Sequence, residues 1–309
     1  MVLVVVMGLL FGSFLNVVIA RVPAGESIVR PRSRCPHCGR QLTWYENIPV
    51  LSWLVQRARC RGCQAPISWR YPLIEVLTAA LFFACQRRFG WTPELVLALV
   101  FVLLLVPLAF IDLEHWILPT ELTWPGIAAG VALSVPLGMP RLIDAVLGAL
   151  AGFFVFWALE WVGEKIFKKE ALGAGDKDLL ALIGAFLSWK ALLGVIFLSS
   201  LQGAVVGSVM LLLYGRAGPA PEAPDASPEP DARTPAGPAP ADGAAEAPGP
   251  VDGAGEGTAE DEEDDWVPGP TNIPFGPWLS VAALEVMLLG PWLRDVLPVP
   301  MDVLLTGLR

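Results

Sequence analysis

Residues 95–112 read LVLALVFVLLLVPLAFID, an apolar run that ends in a single carboxylate, Asp112. A run of this length crosses most of a hydrocarbon core, which is about 30 Å thick. Residues 191–213 form a second run of the same kind. Across the 309 residues, 54% are apolar and only 17% are charged, and the mean hydropathy is +0.57. These values exclude an ordinary soluble domain, and five sparse cysteines exclude a secreted disulfide scaffold.

The sequence predicts an all-α polytopic membrane protein with about eight transmembrane helices and a small zinc-binding loop domain on the cytoplasmic side. The first helix lacks a basic segment and a small-residue cleavage site, so we expect it to be retained rather than removed as a signal peptide. The expected spans cover residues 2–20, 72–86, 93–111, 122–137, 142–162, 179–189, 191–214 and 275–293.

The distribution of arginine and lysine predicts the orientation of these helices. Residues 21–70 hold nine Arg against two Glu, and four lysines follow the fifth span between positions 165 and 177. Loops rich in Lys and Arg stay in the cytoplasm, which places both segments there and the N-terminus outside. Arg87 and Arg88, in the connection after the second span, then face outward as a mild exception.

One acidic segment dominates the formal net charge of −9. Residues 215–270 carry fourteen Asp and Glu against two Arg and are rich in Pro, Ala and Gly. Such a composition favours a disordered linker, although a docking segment for a basic partner is the alternative. The predicted domains are the first helix at 1–20, a four-cysteine loop at 21–71, the transmembrane core at 72–214, the linker at 215–271, and the last helix with its tail at 272–309.

Two CxxC pairs in the Arg-rich loop predict a structural zinc site. Cys35 and Cys38 form the first pair, and Cys60 and Cys63 the second. A two-residue gap lets both sulfurs of a pair reach one tetrahedral ion, and four thiolates fill the coordination of zinc. A pair of disulfides is disfavoured because the loop is expected in the cytoplasm. His37, inside the first pair, is expected at the surface.

Two carboxylates are expected at the cytoplasmic ends of their helices, at similar membrane depth. Asp112 ends the third span, and Asp176 precedes the sixth in the segment Gly173-Ala-Gly-Asp176. A charge at this depth is costly and marks a functional site, and a carboxylate pair supplies both an acid and a base. Gly173 and Gly175 let backbone approach closely. Helix capping alone would also explain Asp176, but it does not explain Asp112 at a helix C-terminus.

Several motifs together resemble the type IV prepilin leader peptidases, which also N-methylate their product. The matches follow the order of that family and cover nearly all of the chain except the acidic linker. They are Gly12-Ser-Phe-Leu-Asn16 and the residues to Arg21, both CxxC pairs, Trp44-Tyr-Glu-Asn-Ile-Pro49, Arg70-Tyr-Pro-Leu-Ile-Glu75, Ile111-Asp-Leu113, Gly173-Ala-Gly-Asp176 and Ile273-Pro-Phe-Gly-Pro277.

The resemblance implies aspartic proteolysis by Asp112 and Asp176 at the cytoplasmic face of the bacterial inner membrane. It also implies cleavage of a short basic leader after a glycine, followed by methyl transfer from S-adenosylmethionine. The partners implied are precursors of pili or of a secretion pseudopilus, and no nucleic acid. Glu46, Asn47 and Asn16 are candidates for the methylation or substrate region. Glu75 is interpreted as a structural carboxylate at a helix start.

The chain departs from the family pattern beside both aspartates. Thr120 stands after Pro119, where the family often has an aspartate, and Lys177-Asp178 follow Asp176, where the family usually has an apolar residue and then lysine. Independently of these departures, two alternatives to a bifunctional peptidase remain. One is a peptidase that has lost methylation, and the other is a transporter that uses paired membrane carboxylates as a proton relay.

Overall fold

The computed structural model describes residues 1–167, 173, 175–214 and 273–296, and these residues are almost entirely helical. The described part contains no strand, only two isolated bridges in the loop that carries the cysteines. Two short 3-10 turns cover Trp44–Asn47 and Val135–Leu137. The α-helices are α1 (Val2–Arg21), α2 (Leu51–Val55), α3 (Arg70–Phe89), α4 (Pro93–His115), α5 (Thr120–Ser134), α6 (Met139–Phe167), α7 (Asp176–Leu187), α8 (Trp189–Tyr214) and α9 (Gly276–Val296).

Each of the eight expected spans coincides with one α-helix, so the all-α prediction is confirmed. Four helices, α1, α4, α6 and α8, are long and apolar enough to cross a membrane, and α9 contains a shorter apolar stretch. The other three helices are not among these candidates. Helix α3 carries charged residues at both ends, and α5 and α7 are short. The predicted linker at 215–271, Lys168, Lys169 and the tail after residue 296 lie outside the described residues.

A short buried helix, α7, lies at the centre of the fold. Its 12 residues give a length of about 18 Å. Every residue from Leu179 to Leu187 is buried, as a helix with apolar side chains on all faces requires. At its C-terminal end, Phe186 stacks on Phe101 of α4 with ring centroids 4.8 Å apart. This burial carries Asp176, the first residue of α7, into the interior.

Glycines allow the closest helix contacts. A Cβ on Gly148 of α6 would collide with the carbonyl oxygen of Gly184 in α7, and a Cβ on Gly184 would collide with that of Gly148. A Cβ on Gly12 of α1 would lie 2.6 Å from the Cα of Glu75 in α3. Small residues at such contacts let helix backbones pack directly, which is how helices associate in lipid.

The chain divides into two compact units, Met1–Val206 with Pro274–Arg309, and Gly207–Ile273. The aspartates, the cysteines and every contact described below belong to the first unit. The described part of the second unit consists of residues 207–214, which are helical, and Ile273.

Candidate active site and cysteine cluster

Asp112 lies in the last turn of α4 and is buried, with 6% of its surface exposed. A helix C-terminus carries partial negative charge, so this position is unfavourable for a carboxylate. The amide N–H of Gly276 compensates by donating a hydrogen bond of 3.0 Å to Asp112 Oδ2. Gly276 is the first residue of α9, where the backbone N–H has no partner within the helix. The N-terminus of α9 thus stabilises the Asp112 carboxylate.

Asp176 begins α7 and is equally buried, at 6% exposure. Its backbone N–H donates to the carbonyl of Gly173 at 3.0 Å, which closes the turn that leads into the helix. A carboxylate at this end is favoured by the helix dipole. Gly173 has room for a side chain, because a Cβ there would lie 3.4 Å from Asp176 Oδ2.

The two aspartates approach each other because the loops around them pack together. A Cβ on Gly175 would lie 2.7 Å from the Cβ of Leu118, a residue of the segment between α4 and α5. Only glycine permits this contact without displacement. Asp176 directly follows Gly175, and Asp112 precedes Leu118 by six residues, so this contact places the end of α4 and the start of α7 next to each other. The structure therefore brings together the two acids that the sequence singled out, from two different helices.

The other charged residues near the aspartates are occupied elsewhere or lie at the surface. Lys177 pairs with Glu160 of α6 at 3.0 Å. Glu114, two residues after Asp112, forms an ion pair with Arg70 at the start of α3, and His115 is exposed. Asp178 is buried, with 8% of its surface exposed, so among these neighbours it matches Asp112 and Asp176 in burial. Asp178 thus provides a matched control for Asp176.

The four cysteines of the CxxC pairs converge on one point. All four sulfurs lie within 4.8 Å of one another, and Cys35 Sγ is 3.8 Å from Cys63 Sγ. Tetrahedral zinc with Zn–S bonds of about 2.3 Å sets its sulfurs about 3.8 Å apart. All are free thiols, whereas Cys85 is buried alone in α3, and His37 is exposed as expected. The cluster can hold one metal ion.

Both CxxC pairs have the same backbone conformation. The N–H of Cys35 donates to the carbonyl of Arg40, and the N–H of Cys60 donates to that of Ala65, both at 2.9 Å. The residue after each pair, Gly39 or Gln64, has a left-handed φ of +69° or +60°. Backbone N–H groups of Cys63 and Gly62 donate to Cys60 and lower its thiol pKa to about 6, whereas burial and the neighbouring sulfurs raise the pKa of the Cys63 thiol to about 11. A lowered pKa favours the thiolate that a metal requires.

Glu46 is buried beneath the cluster and paired with arginine. Arg40 donates to Glu46 Oε1 at 2.5 Å, and Thr43 donates to Oε2 through its N–H at 2.9 Å and its hydroxyl at 2.7 Å. The Arg40 bond, followed by that of Thr43, lowers the Glu46 pKa to about 2. Glu46 is therefore held in an ion pair and is ionised at neutral pH.

A cavity of about 780 Å³ separates α1 and α3 from the cysteine loop. Its lining includes Glu46, the exposed Asn47, Asn16 of α1 and Gln56 at the end of α2. Asn16 donates to the carbonyls of Gly12 and Tyr71 at 3.2 Å. The side-chain oxygens Asn16 Oδ1 and Gln56 Oε1 are buried and have no partner in the described residues. Two residues of the lining thus each hold a buried acceptor without a partner among the described residues.

Glu75 ties the cysteine loop to the helices. Its Oε2 accepts a bond of 2.7 Å from the N–H of Val50, which precedes α2 with a φ of +59°. A positive φ is rare for a β-branched residue, and this bond helps to hold it. This hydrogen bond supports the interpretation of Glu75 as a structural carboxylate.

Sequence reasoning missed the contributions of three residues. These are Gly276, which donates to Asp112, Gln56, which lines the cavity, and Arg70, which pairs with Glu114. For Gly276, the family motif Ile273-Pro-Phe-Gly-Pro277 is the feature of the sequence that points to a role. Nothing in the local sequence indicates the other two, because their roles come from contacts between distant elements.

Fold and site together define a class: helical membrane proteins in which two buried carboxylates from separate helices meet near the N-termini of two helices. Residues 6–89 match the family described as the bacterial peptidase A24 N-terminal domain, and residues 99–208 match the type IV leader peptidase family. The chain belongs to the type IV leader peptidase family.

Three curated relatives are each named prepilin leader peptidase/N-methyltransferase. The protein of Myxococcus xanthus is 57% identical over 319 residues, which covers 98% of this chain and 94% of its own. That of Aeromonas hydrophila is 44% identical over 68% of this chain and 81% of its own. That of Pseudomonas aeruginosa is 35% identical over 68% of this chain and 80% of its own. No solved structure matches the chain.

Proposed function

We propose that this protein is a prepilin peptidase that removes the leader of pilin-like precursors and then methylates the new N-terminus. The observation that carries the peptidase activity is the meeting of Asp112 and Asp176, two buried acids held by different helices. Family membership and the names of the relatives support both activities. The arginines of residues 21–70 support an inner-membrane location with the aspartates at the cytoplasmic face.

The proposed cleavage uses the two aspartates as one acid and one base. Two carboxylates at close range share a single proton. The ionised one takes a proton from water as the water oxygen attacks the scissile carbonyl carbon, and the protonated one gives its proton to the carbonyl oxygen. The proton taken from water then passes to the leaving amine as the C–N bond breaks, and a hydroxyl proton of the intermediate returns to the other carboxylate. Gly276 holds Asp112 through its amide, so one carboxylate oxygen stays fixed while the other is free to face the substrate.

The direct test is incubation of the purified protein with a pilin precursor and a labelled methyl donor. Mass analysis of the product should find a shortened chain whose new N-terminus carries the label. A shortened chain without label would indicate a peptidase that does not methylate. A precursor that stays intact in the presence of folded protein would contradict the proposal.

We assign zinc to the cysteine cluster because four soft thiolates in tetrahedral reach select this ion. The four sulfurs fill its coordination, so the metal has a structural role and leaves no position for water or substrate. Its ligands, Cys35, Cys38, Cys60 and Cys63, join the two ends of the cysteine loop.

The cavity between the cysteine loop and α1 fits the methyl donor S-adenosylmethionine. That molecule carries an ammonium and an adenine amino group as donors, which match the unpartnered Asn16 Oδ1 and Gln56 Oε1. Glu46 adds a carboxylate that is ionised and fixed by Arg40. When bound, the cofactor supplies the methyl group that the new N-terminal amine receives.

We expect Gln56→Leu to weaken binding of S-adenosylmethionine by about tenfold, since one buried hydrogen bond is lost. Calorimetric titration of the purified protein measures this, and leader cleavage should persist. Gln41→Leu is the matched control, because Gln41 lies on the same loop but does not line the cavity. Equal affinities for the two variants would exclude Gln56 from the site.

We expect deletion of Ala217–Gly269 to leave cleavage and membrane insertion intact. The segment holds few apolar residues and none of the family motifs. Cleavage of a precursor in isolated membranes measures this, with a Gly/Ser segment of equal length as the control. Loss of cleavage in correctly inserted deletion protein would show that the segment is more than a connection.

A further inference from the structure

A second cavity, of about 440 Å³, lies at the far end of the helices from the aspartates. Phe186, in its lining, comes ten residues after Asp176 and so lies about 15 Å along α7. Leu97 and Ala98, near the start of α4, line it as well, whereas Asp112 lies in the last turn of that helix. This cavity therefore belongs neither to the carboxylate pair nor to the cysteine loop.

Two guanidinium groups, those of Arg88 and Arg141, line this cavity. Arg141 donates to the carbonyl of Phe186, and Arg88 lies over the ring of Phe89 at 5.2 Å. Within the described residues, no carboxylate lies within 4 Å of either group, although Glu94 and Asp144 act on Arg141 from farther away. Arg88 Nε is buried without a hydrogen-bond partner. The cavity thus presents cationic donors that await an acceptor.

The remainder of the lining is apolar, with Leu97, Phe101, Leu187 and Met287 among its side chains. Exposed tryptophans mark this end of the fold, Trp91 at 67% and Trp189 at 47% exposure. Tryptophan is enriched at the level of the lipid headgroups in membrane proteins. The cavity therefore combines two arginines with an apolar lining, at an end of the fold that exposes tryptophan.

We propose that this cavity binds one phospholipid, with its phosphate on Arg88 and Arg141 and an acyl chain along the apolar wall. Among the lining residues themselves, the two guanidinium groups exceed the one carboxylate, Glu94, by one charge, and a phosphodiester carries one negative charge. Asp144, which acts on Arg141, lies outside the lining. A lipid rather than a soluble phosphate fits because most of the lining is hydrocarbon. This site also gives a role to Arg88, one of the two arginines after the second span, where positive charge is disfavoured.

The test is native mass spectrometry of the delipidated full chain in detergent, titrated with palmitoyl-oleoyl phosphatidylglycerol. We expect the double variant Arg88→Gln, Arg141→Gln to bind this lipid about tenfold more weakly, because charged hydrogen bonds are lost. Arg87→Gln is the matched control, since Arg87 is adjacent and exposed but does not line the cavity. If loss of the Arg141 contact prevents folding, Arg88→Gln alone must still weaken binding while leader cleavage is retained.

Two further titrations separate the possible ligands. Diacylglycerol with the same chains lacks the phosphate and should bind much more weakly than the phospholipid. Inorganic phosphate lacks the chains and should not displace the lipid. Equal binding of diacylglycerol would show that the cavity takes only apolar chains. Displacement by phosphate would show a site for free anions. Unchanged lipid binding by Arg88→Gln would also overturn the proposal.

Discussion

Leader cleavage should be abolished by Asp112→Asn and by Asp176→Asn, with a fall in rate of about 10³-fold or more, as the loss of a general acid or base implies. The amide keeps the shape of the side chain, and Asp112→Asn can still accept the hydrogen bond from Gly276. It can neither take a proton from water nor give one to the leaving amine. The cleavage rate of the purified variants on a pilin precursor is the measurement.

The chain offers a control at the same offset from each aspartate. Asp178→Asn changes a buried acid two residues after Asp176, and Glu114→Gln changes an acid two residues after Asp112. Both controls should be mild, and methylation of an already cleaved peptide should survive all four changes. Substantial cleavage by Asp112→Asn or Asp176→Asn would reject the mechanism and favour a proton relay in a transporter.

The sequence predicted the helices, the four cysteines and the two aspartates because each of them shows a pattern within a short stretch of the chain. An apolar run identifies a membrane helix by itself, since the backbone must satisfy its own hydrogen bonds in lipid. Each CxxC pair is recognised from the two-residue gap between its cysteines. Asp112 and Asp176 stand out because a charge beside a long apolar run has few structural explanations.

The structure adds the contacts between elements that are distant in sequence. Gly276 donates to Asp112 across 164 positions, and Glu75 accepts from Val50 across 25. No periodicity or composition encodes such a pair, because it follows from how the whole set of helices packs. Helix α2 is missed for a related reason: its five residues are too short for a periodic pattern and are held by the Glu75 contact.

Purified protein should contain one zinc ion per chain, and the double variant Cys60→Ser, Cys63→Ser should contain almost none. A serine hydroxyl is a poor ligand for this ion, and two remaining thiolates cannot hold it in tetrahedral geometry. Apparent binding free energies of structural zinc are about 10–16 kcal/mol, which is folding free energy for the segment that it joins. Metal analysis by mass spectrometry is the measurement.

Cys85→Ala is the control, because this cysteine is buried in α3 away from the cluster, and its zinc content should match the wild type. An unchanged zinc content in the double variant would contradict the site. Methylation should fall further than cleavage in that variant, because Glu46 and Gln56 lie on the loop that the metal holds, whereas Asp112 and Asp176 lie on α4 and α7. An equal loss of both activities would instead mean that the loop supports the carboxylate pair, and the ion pair between Arg70 and Glu114 would be the connection to test next.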